Sequence, residues 1–180
     1  MILKLRYYGD PILREKCAPI EKLTPEILQL AQNLIDSVLH YDGAGLAAPQ
    51  IGYTVRIFVI RYSDQIDANG IPLLCPPEVF INPVLSSPST ERDTQLEGCL
   101  SIPEILVPIE RPISIKVERL DIHGEHQKEI AHGWRARAIM HENDHLNGIL
   151  SPNRATGKVK KQLKPALKKL EQHYASPKIN

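Results

Sequence analysis

WRARAIMHENDHLNG, residues 134–148, is the stretch on which the fold turns. Its composition predicts a helix from about Trp134 that stops near Gly148. On such a helix His141 and His145 stand four residues apart and share a face, so two neutral imidazoles can bind one cation. Glu142 lies too near the helix axis to be an easy third ligand, but it is well placed beside a water on that cation. Without a cation the same pattern describes two histidines on a helix surface.

Outward from this helix, the other elements follow from periodicity and turn chemistry. LTPEILQLAQNLIDSVLHYDG (23–43) predicts a first helix with Thr24 as N-cap, Pro25 at the first helical position and Glu26 in the first turn. Ile27, Leu30, Leu34 and Val38 recur at three- and four-residue steps, and Gly43 is the expected stop. TVRIFVIRY (54–62), VFINPVL (79–85) and ISIKVERLD (113–121) read as strands, and HQKEIAH (126–132) pairs with the last of them across IHGE. SDQIDANGIPLLCPPE (63–78) reads as a polar, proline-rich loop. A final helix is expected over 158–174, kinked or divided at Pro165. Helices and antiparallel-looking strands without βαβ alternation indicate an α+β fold.

At 180 residues the chain is expected to form one domain, 1–180, with a sizeable core. No run is long enough for a membrane span, and MILKLRYYGDP lacks the apolar stretch of a secretory signal. Three cysteines, Cys17, Cys75 and Cys99, are an odd count that suits a reducing compartment and free thiols. The net charge is +1, yet residues 151–180 hold eight lysines or arginines against one acid, Glu171. This basic, helical tail is either a solvated face or a surface for an anionic partner such as RNA.

A hydrolytic HExxH site needs a third ligand. The downstream positions Glu171 and His173 lie in the basic tail beyond a proline. EGCLS (97–101) is the better source, because Gly98 lets the backbone approach closely just before Cys99. The plainer reading of Cys99 is a small buried hydrophobe; Cys17 and Cys75 are read as structural. GAGLAAPQIG (43–52) is either a tight connection or a wall, with glycines clearing space for substrate and Gln50 donating its amide to a developing oxyanion. Thiolate and imidazole ligands suit Zn, Fe(II), Co or Ni.

Together and in this order, GAGLAAPQ, EGCLS and HENDH resemble the three signatures of the peptide deformylase family, over about residues 3–150. YGDPILR and the AR of WRARAIMHE also fit. The resemblance implies antiparallel sheets packed around a central metal-binding helix, with one helix N-terminal and one C-terminal to them. It implies Cys99, His141 and His145 as ligands to one divalent ion, with Fe(II) native and Zn, Ni or Co as substitutes. Glu142 would be the general acid/base, and Gln50 and the Leu100 N–H would stabilise the oxyanion. Gly45 would line the substrate cleft, Glu97 would pair with Arg111 to steady the metal loop beside it, and Asp144 would orient a ligand histidine. Trp134 and Ala138 would wall the methionine pocket. The implied substrates are N-formyl-methionyl nascent peptides in the cytoplasm of a bacterium or in an organelle. The implied reaction releases formate. The basic charge of the tail, apart from the resemblance, suggests contact with ribosomal RNA; neither membrane nor DNA is an expected partner. Met140, Glu104 and ILSPNR (149–154) depart from the usual family pattern. A metal-dependent amidase or peptidase with another substrate, and a non-catalytic RNA-associated protein, are the competing readings.

Overall fold

The helix with both histidines runs Gly133–Leu146 (α2), and its burial is unusual for its composition. Ala136, Ile139 and Leu146 are buried, but so are Arg135, Arg137, Glu142, Asp144 and His145. A polar helix buried on nearly all sides is stable only if its neighbours supply partners for each charge. The rest of the fold supplies them. The computed structural model describes residues 1–70 and 72–174; Ile71 of the expected loop and 175–180 of the tail lie outside the described residues.

Helix α1 spans Pro25–His40, with Thr24 as its N-cap. Its end differs from expectation, because Asp42, and not Gly43, takes the left-handed conformation (φ 49°). Asp42 N–H closes on Leu39 O at 3.3 Å and Gly43 N–H on Val38 O at 2.9 Å, the pair of bonds of a Schellman end. Gly43 is small for another reason: a Cβ there would stand 2.8 Å from Leu100 Cδ1.

Strands β1 (Gly45–Ala47), β2 (Ile57–Ile66), β3 (Pro72–Ser86), β6 (Ser114–Leu120) and β7 (His126–His132) form one antiparallel sheet in the order β1-β2-β3-β6-β7. Strands β4 (Arg92–Cys99) and β5 (Ile102–Pro112) form a second, two-stranded sheet. The IFVI run of β2 is continuous because both faces are covered: Ile57 and Val59 pack towards Leu34 and Val38 of α1, while Phe58 and Ile60 pack with Phe80, Ile139 and Met140 on the α2 side. β6 and β7 pair as expected, with Leu120 opposite His126.

Residues 63–78 are not a loop. β2 and β3 continue into a hairpin whose turn is tied by Asn69 N–H to Asp67 Oδ1 (2.8 Å) and Gly70 N–H to Asp67 O (3.0 Å). Pro76 and Pro77 are tolerated because the ladder shifts register there, and β6 covers β3 only from Ile81 onward. EGCLS is likewise no open loop: Cys99 ends β4 and pairs across to Ile102.

After α2 come a single turn, α3 (Ser151–Arg154), and α4 (Gly157–Tyr174), which Pro165 does not divide. Leu167 of α4 packs with Leu13, Ile102 and Leu150, and Tyr174 stacks on Tyr7 at 3.9 Å. The six lysines of α4 are exposed. Among the described residues, no helix is long and apolar enough to cross a membrane.

Candidate metal centre

The end of β4 meets α2 where Cys99, His141 and His145 bring one sulfur and two ring nitrogens within 4.8 Å of one another. Cys99 Sγ lies 3.4 Å from His145 Nε2. Among the described residues no other group of three such side chains forms. Cys17 is buried in the core, Cys75 sits 3.8 Å from Glu78 Oε1, and Glu171 and His173 lie on α4, where Glu171 packs on Gly9. A soft thiolate and two imidazoles around one point are a donor set that a divalent transition metal fits. Burial disfavours a charged His141, yet hydrogen bonds to Cys99 and Glu97 hold its pKa well above the usual value; burial, with the charge of His141, holds His145 well below. A metal takes both imidazoles neutral and the thiol deprotonated, so loading is favoured as pH rises.

Glu97 orients His141. Its Oε2 accepts from His141 Nδ1 (2.9 Å) and Arg111 Nη2 (2.9 Å), and its Oε1 accepts from Arg111 Nε (2.7 Å) and Arg137 Nη1 (2.7 Å). Four bonds fill the carboxylate, which leaves the His141 Nε2 side for a metal. Burial opposes this charge, but the bonds from His141 and Arg111 win and hold its pKa well below the usual carboxylate range. Glu97 lines the cavity, and because four bonds engage its carboxylate, its backbone is the part free to meet a substrate. Asp144 does not bond a histidine directly; it accepts from Arg111 Nη1 (3.0 Å) and Arg154 Nε (3.0 Å). Neighbouring helix position suggested a link to the histidines that the side-chain directions do not make.

Glu142 is 4% exposed, and burial pushes its carboxyl pKa up to about 7. Its Oε2 has no hydrogen-bond partner among the described residues, nor does His145 Nδ1. A buried carboxylate oxygen without a partner is costly unless a water or substrate meets it there. Gln50 sits in a 3-10 turn (Ala48–Ile51), where its Oε1 accepts from Ala47 N–H at 2.8 Å. This fixes the amide so that Nε2 points to Ser101 Oγ (3.2 Å) and Cys99 Sγ (3.6 Å). Fully buried Ser101 was missed from the sequence; its place in EGCLS, next to Leu100, was the available signal.

These groups open onto a cavity of about 440 Å³. Gly45, Gln50, Leu100, Trp134, Ala138, His141 and Glu142 line it, together with Tyr62, Leu96 and Glu104, which the sequence did not mark as lining residues. Tyr62 leans on Trp134, ring centroids 6.1 Å apart, and Glu104 takes a left-handed conformation (φ 63°) that glycine adopts more easily. Among the glycines of this cavity Gly45 is the tightest approach: an added Cβ would fall 2.4 Å from Glu142 Oε1 and 2.8 Å from its Cδ. Gly45→Ala is expected to displace the Glu142 carboxylate and lower kcat on the order of 100-fold, with metal content unchanged. Near-normal turnover with one metal per chain would show that the Glu142 position is not critical.

The family model described as polypeptide deformylase matches residues 2–161. The chain belongs to the polypeptide deformylase family. A peptide deformylase of Thermotoga petrophila is 40% identical over 147 residues, covering 82% of this chain and 83% of that protein. The crystal structure of peptide deformylase from Ehrlichia chaffeensis aligns with a TM-score of 0.86 at 30% identity, covering 97% of this chain and 98% of that one. A class I type b peptide deformylase from Acinetobacter baumannii, solved with Met-Ala-Ser bound, aligns with a TM-score of 0.79 at 30% identity over 86% of this chain and 99% of that one. Polypeptide deformylases are metal-dependent hydrolases that remove the N-formyl group from N-terminal methionine. The α+β expectation, with antiparallel sheets and helices, agrees with these structures.

Proposed function

We propose that this chain deformylates nascent polypeptides with Cys99, His141 and His145 as the metal grip and Glu142 as acid/base. The observation that carries this reading is the meeting of those three donor atoms at the wall of a cavity that Cys99, His141 and Glu142 line, with Glu142 Oε2 unpartnered among the described residues. A divalent cation bound there supplies Lewis acidity, polarising the formyl carbonyl and easing deprotonation of water. Glu142 takes the proton of the attacking water and passes it to the leaving amine nitrogen. Gln50 Nε2 and the Leu100 N–H donate to the formyl oxygen as it gains charge. The native ion we infer is Fe(II), with Zn, Ni or Co as substitutes that the same ligands accept.

The peptide lies as an added strand on β4. Among the described residues β4 pairs only with β5, and Leu96, Glu97 and Gly98 of β4 border the cavity. Trp134, Tyr62 and Ala138 offer the methionine an apolar wall, in which a thioether meets aromatic rings favourably. Protein purified anaerobically is expected to carry iron and to cleave formyl-Met-Ala-Ser at least about 100-fold faster than acetyl-Met-Ala-Ser. Equal rates on the two would overturn the assignment.

The setting is the cytoplasm, and the exposed lysines of α4 meet ribosomal RNA where substrate emerges. Such binding should weaken steeply with salt, because each phosphate contact releases counterions. Sedimentation with ribosomes is expected to fall at least about tenfold when residues 156–180 are deleted, or between about 50 and 200 mM salt. Undiminished sedimentation of the folded, truncated protein would rule the contact out.

A further inference from the structure

We propose that Arg154 is a positioning residue for the metal grip, acting through a continuous chain of charged side chains that ends on His141. The proposal rests on Cys99, His141 and His145 being the ligands. Arg154 closes α3, the single turn after the helix that bears both histidines. Its guanidinium forks onto both oxygens of Asp144, with Nε to Oδ2 at 3.0 Å and Nη2 to Oδ1. Asp144 Oδ2 accepts Arg111 Nη1 at 3.0 Å, and Arg111 in turn forks onto both oxygens of Glu97. Glu97 Oε2 receives His141 Nδ1. A planar fork with two parallel bonds fixes orientation as well as distance, so the direction set at Arg154 is handed on.

The chain is asymmetric where it matters. Glu97 Oε1 is held twice, by Arg111 Nε and by Arg137, which is itself anchored on Ile109 O (2.9 Å) and Asp93 O (3.1 Å). Glu97 Oε2, the oxygen that holds His141, has Arg111 as its one other partner among the described residues. Asp144 and Arg111 have side chains 9% and 5% exposed, whereas Arg154 is 43% exposed. When Arg154 is removed, Asp144 keeps a buried charge and only Arg111 to neutralise it. Arg111 then turns towards Asp144, its grip on Glu97 Oε2 loosens, and His141 loses its fixed direction. A partly exposed ion pair contributes little to global stability, so the effect appears in metal retention rather than in folding.

The test is the rate at which nickel-loaded holoenzyme gives up its metal to an excess of chromophoric chelator. Arg154→Ala is expected to release metal about five- to tenfold faster, somewhat below the range for residues that touch a ligand directly. The thermal midpoint of the metal-free protein should fall by no more than about 3 °C, and KM for formyl-Met-Ala-Ser should stay unchanged. Arg154→Lys keeps the charge without the fork and is expected to recover part of the retention. Asn153→Ala is the control: it removes the bonds of Asn153 to Arg14 and to the Leu150 N–H and so loosens α3 without touching the charged chain. It should release metal at the wild-type rate. Arg154→Ala at the wild-type rate, or Asn153→Ala as fast as Arg154→Ala, overturns the proposal. Wild-type protein that takes up no nickel would instead overturn the ligand assignment itself, a result distinct from normal uptake with unaltered release.

Discussion

Glu142→Gln is expected to keep one metal per chain and lose roughly 10³-fold in kcat, within the usual range for removing a general acid/base. The replacement is close in shape, and the surroundings say what else should change. Glu142 is wedged against Gly45, where an added Cβ would stand 2.4 Å away, so the glutamine side chain is held where the glutamate was. The proposed ligand atoms belong to Cys99, His141 and His145, and no hydrogen bond among the described residues joins them to Glu142. What is lost is the group that accepts and returns a proton. Burial, which pushes the Glu142 pKa up to about 7, places it near neutrality, and an amide has no counterpart to that titration. KM should change little, because Gln50, Leu100 and Trp134, the cavity residues proposed to meet the peptide, are untouched. A variant with metal bound and kcat within about threefold of wild type would show that the proton moves by another route.

How much of this was legible in the sequence depends on where each element draws its stability. Helix α1 was legible because Thr24, Pro25 and the three- and four-residue apolar steps are local signals, and the structure caps the helix on Thr24. Strand β2 was legible because both its faces are buried, which requires the apolar run IFVI. Strand β4 was not: RDTQLEGC lacks apolar alternation, most of it is exposed, and its conformation comes from pairing with β5. The prolines of 72–78 hid a strand because the ladder shift that tolerates them is a property of the partner. At the site, spacing alone placed His141 and His145 on one face, and the glycine before Cys99 marked that thiol. The hydrogen bond from His141 to Glu97 joins residues 44 apart in the chain, and no local rule says which of several carboxylates makes it. Asp144 was the nearer choice in sequence, and Arg111 and Arg154 hold it instead.

Arg111→Met is expected to cost about 3–5 kcal/mol of stability, because it leaves two buried carboxylates without the cation they share. The substitution is nearly conservative in length and hydrophobic bulk, so the loss reports charge and hydrogen bonding more than volume. Arg111 is 4% exposed and joins three elements: it lies on β5, pairs with Glu97 on β4 and reaches Asp144 on α2. Against a total of roughly 5–15 kcal/mol for an ordinary domain, such a loss removes about a fifth or more of the margin. Urea unfolding of the metal-free protein measures it directly, with a lower midpoint at unchanged slope. The second arm separates charge from packing. Asp144→Asn added to Arg111→Met removes one of the stranded charges, so the double variant should be more stable than the sum of the single losses. Strict additivity, or a cost for Arg111→Met below about 1 kcal/mol, would mean that the two carboxylates find relief without Arg111. A cost of the expected size means that the side chains which aim His141 also hold the two-stranded sheet against the metal helix, so the grip and the fold around it share one set of charges.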